Sequence, residues 1–206
     1  MKPSYVTDLL ARDVLLDDEA DGLFVSLMHD VRWLDVAQGA RLEAFYAATL
    51  TPVRYTYGRG RGQRTYVSRP MSDVADLRWL TQRVNHWLAD RGHGPLNGCF
   101  LNRYDGAHNA IGWHSDDDPG TDHTKPIVVL SLGQERDLYT RPLGHKGPLL
   151  DEWKWTLGHG SLFVMPPGFQ QTHQHKIAKA SGTVRTRISL TWRAFVQKLD
   201  MSTLPA

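Results

Sequence analysis

The chain has 206 residues, 41% of them apolar and 22% charged, with a formal net charge of +2 at pH 7. Such a composition is that of an ordinary globular domain, and it excludes a disulfide scaffold, a low-complexity chain and a polycation acting through its total charge. The single cysteine, Cys99, cannot close an internal disulfide, and Met1 to Tyr5 runs into charged residues rather than an apolar leader. No apolar run approaches the roughly 20 residues that span a bilayer. The expected setting is cytoplasmic, or nuclear in a eukaryote, and not secreted, with no membrane partner and a monomeric chain.

In chain order, Ala20, Leu23, Phe24, Leu27, Met28 and Val31 recur at helical spacing and predict an amphipathic helix from about Asp18 to Val31. A second helical stretch is read at Arg41 to Ala48, broken by Thr51-Pro52. Arg54 to Pro70 is different in kind. Tyr55, Tyr57 and Tyr66 flank a Gly- and Arg-rich centre containing Arg59, Arg61 and Arg64, and the segment has no acidic residue. It reads as a β-hairpin whose guanidinium groups suit phosphate and whose rings suit an unstacked base, or equally as a solvated basic hairpin. Val74, Leu77, Leu80, Val84, Trp87 and Leu88 predict a helix over Asp73 to Ala89.

Beyond that helix the chain turns β-rich. Strands are expected at Gly98–Tyr104, Ile111–His114, Pro126–Leu132, Asp137–Thr140, Ser161–Met165, Gln171–Ile177 and Thr186–Phe195, with Thr140 to Gly160 read as a polar insert. Helices followed by many short strands indicate an α+β protein whose second part is a barrel or sandwich.

Chemistry concentrates in this second part. In His114-x-Asp116 an imidazole and a carboxylate two apart share one strand face and could bind one metal. Two histidines and one carboxylate make the triad that holds non-haem Fe(II) with positions left open. His173 and His175 offer the third ligand. Arg187, Ser189, Thr191 and Arg193 form one face of a strand whose other face is Ile188, Leu190 and Trp192. Two arginines and two hydroxyls on a buried face are costly unless they bind an anion, whereas on an exposed strand they would be a salt-bridge ladder. Asn102 and Tyr104 share the face of the strand that precedes the His-x-Asp pair.

These residues resemble the AlkB family of Fe(II)- and 2-oxoglutarate-dependent dioxygenases. The resemblance runs through Asn102-Arg103-Tyr104, His114-Ser115-Asp116-Asp117-Asp118, Pro126 to Gly133, Gly160 to Met165, His175 and Arg187 to Arg193, and more loosely through Tyr57-Gly58 and Tyr66. It implies a double-stranded β-helix core of the jelly-roll, cupin-like kind, with N-terminal helices and a nucleotide-recognition hairpin lid. One domain over 1–206 is then expected: helices and lid in 1–96, the core in 97–196 and a tail in 197–206.

The resemblance also implies roles. His114, Asp116 and His175 would ligate Fe(II), with His173 the rival for the third place. Asn102, Tyr104, Arg187, Ser189, Thr191 and Arg193 would hold 2-oxoglutarate, although many relatives have Asn where Ser189 stands. Asp118 would face the exocyclic amino group of a base, Tyr66 (or Tyr57) would stack on it, and Arg59, Arg61 and Arg64 would grip flanking phosphates. The implied reaction uses O2 to dealkylate bases such as 1-methyladenine or 3-methylcytosine in DNA or RNA, releasing formaldehyde, succinate and CO2. Two alternatives are the same chemistry on an unusual base or a protein side chain, and a non-catalytic nucleic-acid-binding relative.

Overall fold

A computed structural model of the protein describes residues 10–11, 14–58, 63–144 and 152–196. Asp17–Asp30 forms helix α1, entered with three acidic residues that complement the amide dipoles of its first turn. The Glu19 carboxylate accepts the Leu16 N–H at 2.9 Å and closes that end. Ala75–Ala89 forms helix α2. No helix among the described residues is long and apolar enough to cross a membrane.

The strands are β1 (Leu10–Ala11), β2 (Leu42–Ala47), β3 (Arg54–Tyr57), β4 (Arg64–Val67), β5 (Arg69–Pro70), β6 (Gly98–Tyr104), β7 (Ile111–His114), β8 (Ile127–Gly133), β9 (Arg136–Pro142), β10 (Trp153–Leu157), β11 (Ser161–Met165), β12 (His173–Ile177) and β13 (Arg187–Arg193). A short helix, α3, spans Phe169–Thr172. Seven strands make a large sheet in the order β1-β11-β8-β13-β6-β2-β5, and four make a smaller one, β10-β9-β12-β7. Among the described residues, strands β3 and β4 pair only with each other, as a hairpin. This is the expected jelly-roll core.

Alternation along each strand decides what lies on either side of the large sheet. Its outer face carries Ala44, Tyr46, Leu101, Ile188, Leu190 and Trp192, which pack with Leu23 and Leu27 of α1 and with Leu77, Leu80, Val84 and Leu88 of α2. The wholly buried Trp192 also donates its indole N–H to Thr81 of α2 at 2.9 Å, so the helices are fixed to the middle of the sheet. Truncating it to Ala would cost about 3–5 kcal/mol. Between the sheets, Ile127, Val129, Leu138, Leu157, Phe163 and Ile177 seal one end of the barrel. An aromatic cluster of Phe45, Tyr55, Tyr66, Phe100 and Phe195 lies beneath the hairpin. Gly133 ends β8 opposite Arg187 with φ +81°, and a Cβ there would meet the Thr186 carbonyl oxygen at 2.5 Å, so glycine is required.

Three expectations need correction. Residues 41–48 are not helical: Leu42–Ala47 is a strand between β6 and β5. Glu, Ala and Leu favour a helix in isolation, but the ladder to β6 and burial on both faces override that preference. The insert read between Thr140 and Gly160 contains β10, whose Trp-Lys-Trp-Thr-Leu alternation completes the edge of the small sheet. Residues 171–172 belong to the single turn of α3, and the strand starts at His173.

Candidate metal centre and anion pocket

Strand β7 delivers His114 to the inner face of the small sheet, and β12 sets His175 directly across from it as its register partner. Their ring centroids are 4.1 Å apart. Asp116 sits just past the end of β7, where its own N–H donates to Gln170 Oε1 at 2.9 Å. Ser115 Oγ donates to the His173 carbonyl at 2.8 Å, so the turn after β7 is stitched to both α3 and β12.

His114 Nδ1 faces the Gly112 carbonyl at 2.8 Å, and an oxygen can only accept, so Nδ1 carries the proton. The Nε2 lone pair is therefore the one turned inward, 3.8 Å from Asp116 Oδ1. His175 Nε2 lies 3.8 Å from Asp116 Oδ2. The three ligand-type atoms all fall within 4.8 Å of one another. Burial, reinforced by His114, pushes His175 down to about 3, and burial pushes His114 down as well. Burial opposes the charge on Asp116, but Arg193 and the two imidazoles outweigh it and hold the carboxyl well below its ordinary value. Two neutral imidazoles and a permanent carboxylate are the donor set a divalent iron requires. Asp116 Oδ1 is buried without a hydrogen-bond partner among the described residues, which suits a metal ligand.

The wall opposite the histidines is built by β6 and β13. Asn102, Tyr104, Arg187, Ser189, Thr191 and Arg193 all line one cavity with the metal-facing residues; its empty space, mouth included, is ≈ 530 Å³. Three buried arginines reach this cavity, and their partners differ. Arg193 Nη2 donates to Asp116 Oδ2 at 2.6 Å, and the guanidinium also lies 5.2 Å from the Tyr55 ring centre. Arg41 pairs with Glu43. Arg187, which is 0% exposed, donates through Nε to Ser131 Oγ at 2.8 Å, while its Nη1 and Nη2 have no hydrogen-bond partner among the described residues. Burial pushes its pKa down to about 10, and it remains a cation in search of an anion. Tyr104, whose ring lies 5.3 Å from this guanidinium, and Asn102 flank the same position.

The hairpin closes the mouth. Thr56 N–H donates to Asp118 Oδ2 at 3.2 Å, and Gly120 N–H donates to Asp118 Oδ1 at 2.7 Å. This bond fixes β3 so that the Tyr57 ring stands edge-on to His114, 5.7 Å between centroids. Tyr66 is elsewhere. It is buried against Phe100 (4.9 Å, 84°), and its hydroxyl donates to Glu43 at 2.6 Å, so stacking on a base there does not fit and Tyr57 holds the cavity-facing place. His173 also stays out of the cavity: it stacks on Phe169 at 4.7 Å, and Thr172 Oγ1 meets its Nδ1 at 2.8 Å. Arg64 is half-buried on β4, whereas Arg59 and Arg61 lie outside the described residues. Arg41 and Glu43 are components that sequence reasoning missed, and Tyr55, read only as one ring of the hairpin, also lines the cavity. Arg41, Glu43 and Phe45 alternate with Leu42, Ala44 and Tyr46, which was the strand signal to be found there.

A family model for the 2OG-Fe(II) oxygenase superfamily matches residues 9–193. The chain belongs to this superfamily. Its 2OG-Fe(II) oxygenase relatives are of the AlkB kind. It is 29% identical over 188 residues to the human alpha-ketoglutarate-dependent dioxygenase alkB homolog 3, covering 85% of this chain and 61% of that protein. It is 34% identical over 117 residues to the DNA oxidative demethylase ALKBH2 of Arabidopsis thaliana, covering 48% of this chain and 37% of the relative. The chain thus spans about three fifths of the alkB homolog 3 proteins it matches, 61% of the human one. The solved structure of OsALKBH1 superposes with a TM-score of 0.54 over 90% of this chain and 95% of that one, at 15% identity, and shares the fold. Fe(II), 2-oxoglutarate and O2 are the reagents of the superfamily, and the His114, Asp116 and His175 cluster is suited to the iron.

Proposed function

We propose that this 2OG-Fe(II) oxygenase removes alkyl groups oxidatively from N-alkylated bases, such as 1-methyladenine or 3-methylcytosine, in DNA or RNA. One observation carries the reading. Arg187, buried and without a carboxylate partner among the described residues, shares a single cavity with His114, Asp116 and His175, and an aromatic lid residue, Tyr57, lines that cavity beside His114. With Fe(II) held by the two histidines and Asp116, reduction of O2 coupled to decarboxylation of 2-oxoglutarate supplies the oxygen atom that turns an N-methyl group and its carbon into formaldehyde, leaving succinate and CO2.

The chain's own residues do the rest. Arg187 receives the distal carboxylate of the cosubstrate as a bidentate partner, with Tyr104 and Asn102 beside it. Arg193 keeps Asp116 ionised and turned toward the histidines, and Ser189 and Thr191 supply short hydroxyls on the floor between the two arginines. Tyr57 stacks on the target base against His114, and Asp118, whose two oxygens accept the Thr56 and Gly120 N–H groups, holds the lid strand. A base inside a duplex cannot reach this cavity, so it enters flipped out or from a single strand. Arg64, with Arg59 and Arg61, holds the flanking phosphates. The names of the relatives support the substrate class, since two of them are a dioxygenase of the alkB kind and a DNA oxidative demethylase.

The test is stoichiometric. Incubation of the protein with Fe(II), 2-oxoglutarate and an oligonucleotide carrying 3-methylcytosine is expected to give formaldehyde and succinate in equal amounts, and neither with Asp116→Ala. Succinate without formaldehyde from alkylated DNA and RNA alike would leave the oxygenase chemistry standing and overturn the substrate.

A further inference from the structure

Four buried polar side chains run in single file from the lid to the cavity wall. Tyr66 on β4 donates its hydroxyl to Glu43 Oε2 at 2.6 Å, Glu43 pairs with the Arg41 guanidinium, and Arg41 Nε donates to Asn102 Oδ1 at 2.7 Å. The register dictates this order. Arg41 and Glu43 are two apart on one face of the β2 segment, and Glu43 is the cross-strand partner of Asn102 on β6. Glu43 is 0% exposed, a position in which a carboxylate persists only if donors surround it. It has one ion-pair partner, Arg41, and one hydroxyl donor from the lid, Tyr66.

The file has a direction. A guanidinium Nε–H only donates, so the Asn102 atom in front of it must be the amide oxygen. What Asn102 has left to present to the cavity is its NH2 group. Asn102 and Arg187 line the same cavity, on adjacent strands. Of the three arginines there, Arg41 is matched by Glu43 and Arg193 by Asp116, so Arg41 is engaged in orientation and not free to take an anion.

We propose that Tyr66, Glu43 and Arg41 are positioning residues that hold Asn102 as an NH2 donor toward the dicarboxylate cosubstrate, so that seating of the lid and affinity for 2-oxoglutarate are coupled. This rests on the reading of the Arg187 pocket as the 2-oxoglutarate site. Without the Tyr66 hydroxyl, Glu43 keeps only Arg41 and is no longer held from the lid side, so the Glu43–Arg41 pair can shift and the Asn102 amide it orients is free to turn its oxygen toward an incoming carboxylate. An acceptor then faces an anion where a donor stood.

The experiment measures 2-oxoglutarate affinity directly, by calorimetry on protein loaded with Mn(II), which binds the ligand without turnover. Tyr66→Phe is expected to weaken 2-oxoglutarate by roughly three- to tenfold, the effect of misplacing one donor among several. Glu43→Gln is expected to weaken it as well; should that variant fail to fold, Tyr66→Phe, which removes only an oxygen, carries the test alone. Arg187→Ala serves as the reference for direct contact. If Arg187→Ala loses 2-oxoglutarate and Tyr66→Phe binds it like the unmodified protein, the positioning file is wrong and the cosubstrate site stands. If Arg187→Ala also binds normally, the cosubstrate site is misassigned and the file falls with it. A Tyr66→Phe defect confined to binding of a 3-methylcytosine oligonucleotide would make Tyr66 a lid anchor only and overturn the coupling.

Discussion

Arg193 Nη2 stands 2.6 Å from Asp116 Oδ2, and this bond joins the anion-facing strand β13 to the metal-facing turn after β7. Both residues are buried, 4% and 3% exposed. Burial alone would drive each toward its neutral form, yet each partner reverses that for the other, so Asp116 is held below and Arg193 above its ordinary value. The pair makes the third ligand an anion at every physiological pH. It also leaves Arg187 as the cavity arginine without a carboxylate partner among the described residues.

The ligand set separates by substitution. Asp116→Ala and His175→Ala are expected to abolish turnover and metal uptake, whereas His173→Ala, stacked on Phe169 outside the cavity, retains most of both. Metal content of protein loaded without oxygen checks this, and the opposite ranking of the two histidines would move the site along β12.

Much of the site could be read before the fold because its residues repeat with period two on strands bounded by clear turns. Gly98–Tyr104, Ile111–His114 and Ser161–Met165 have the bounds expected from their alternation. Arg187, Ser189, Thr191 and Arg193 face the cavity for the same reason. Strand β2 was hidden because the helical preference of Leu, Glu and Ala outweighed the period-two alternation of residues 41–46, so Arg41 and Glu43 were not seen as neighbours of Asn102. The choice between Tyr57 and Tyr66 lay in the hairpin register. Tyr66 pairs with Tyr55 over Phe100, while Tyr57 pairs with Arg64 nearer the mouth, and no local pattern encodes which ring lies over His114.

Arg187→Ala is expected to weaken 2-oxoglutarate by about 1.5–3 kcal/mol, the contribution of a charge-assisted pair, or roughly 10- to 150-fold in Kd. The defect must appear without any oligonucleotide, in the slow uncoupled conversion of 2-oxoglutarate to succinate. A Kd unchanged from that of the unmodified protein would remove the anion from this pocket.

Acid will destabilise the metal-free protein in a window set by the histidines. His175 is pushed down to about 3 in the folded protein and His114 is also lowered, against roughly 6.5 in the unfolded chain. The unfolded state therefore binds protons first, so stability is full above the unfolded value and is lost as pH falls toward the folded one. Asp116, also lowered, adds a loss in the same direction only below the ordinary carboxylate range, roughly pH 4. Thermal melting with a chelator present is expected to fall between about pH 7.5 and about pH 5, with a shallower slope for His175→Gln, because one imidazole no longer takes part. Equal slopes for the two proteins would contradict a buried neutral His175.

The lid residues are expected to divide by chemistry. Tyr57→Ala weakens an alkylated oligonucleotide by about 1–3 kcal/mol for the removal of one stacking ring, with the salt dependence unchanged. Joint replacement of Arg59, Arg61 and Arg64 by Ala flattens the slope of log affinity against log salt by roughly 0.7–0.9 for each phosphate no longer neutralised. An unchanged slope in that triple variant would make the hairpin a solvated basic loop.

The proposed function is dealkylation of bases in nucleic acid at an iron held by His114, Asp116 and His175. Mass spectrometry of a panel of DNA and RNA oligonucleotides carrying 1-methyladenine or 3-methylcytosine, after incubation with Fe(II) and 2-oxoglutarate, tests it most directly. At least one of them is expected to lose the mass of a methylene group with the unmodified protein, and none with Asp116→Ala. Unchanged masses across the panel, from protein that still converts 2-oxoglutarate to succinate, would contradict it.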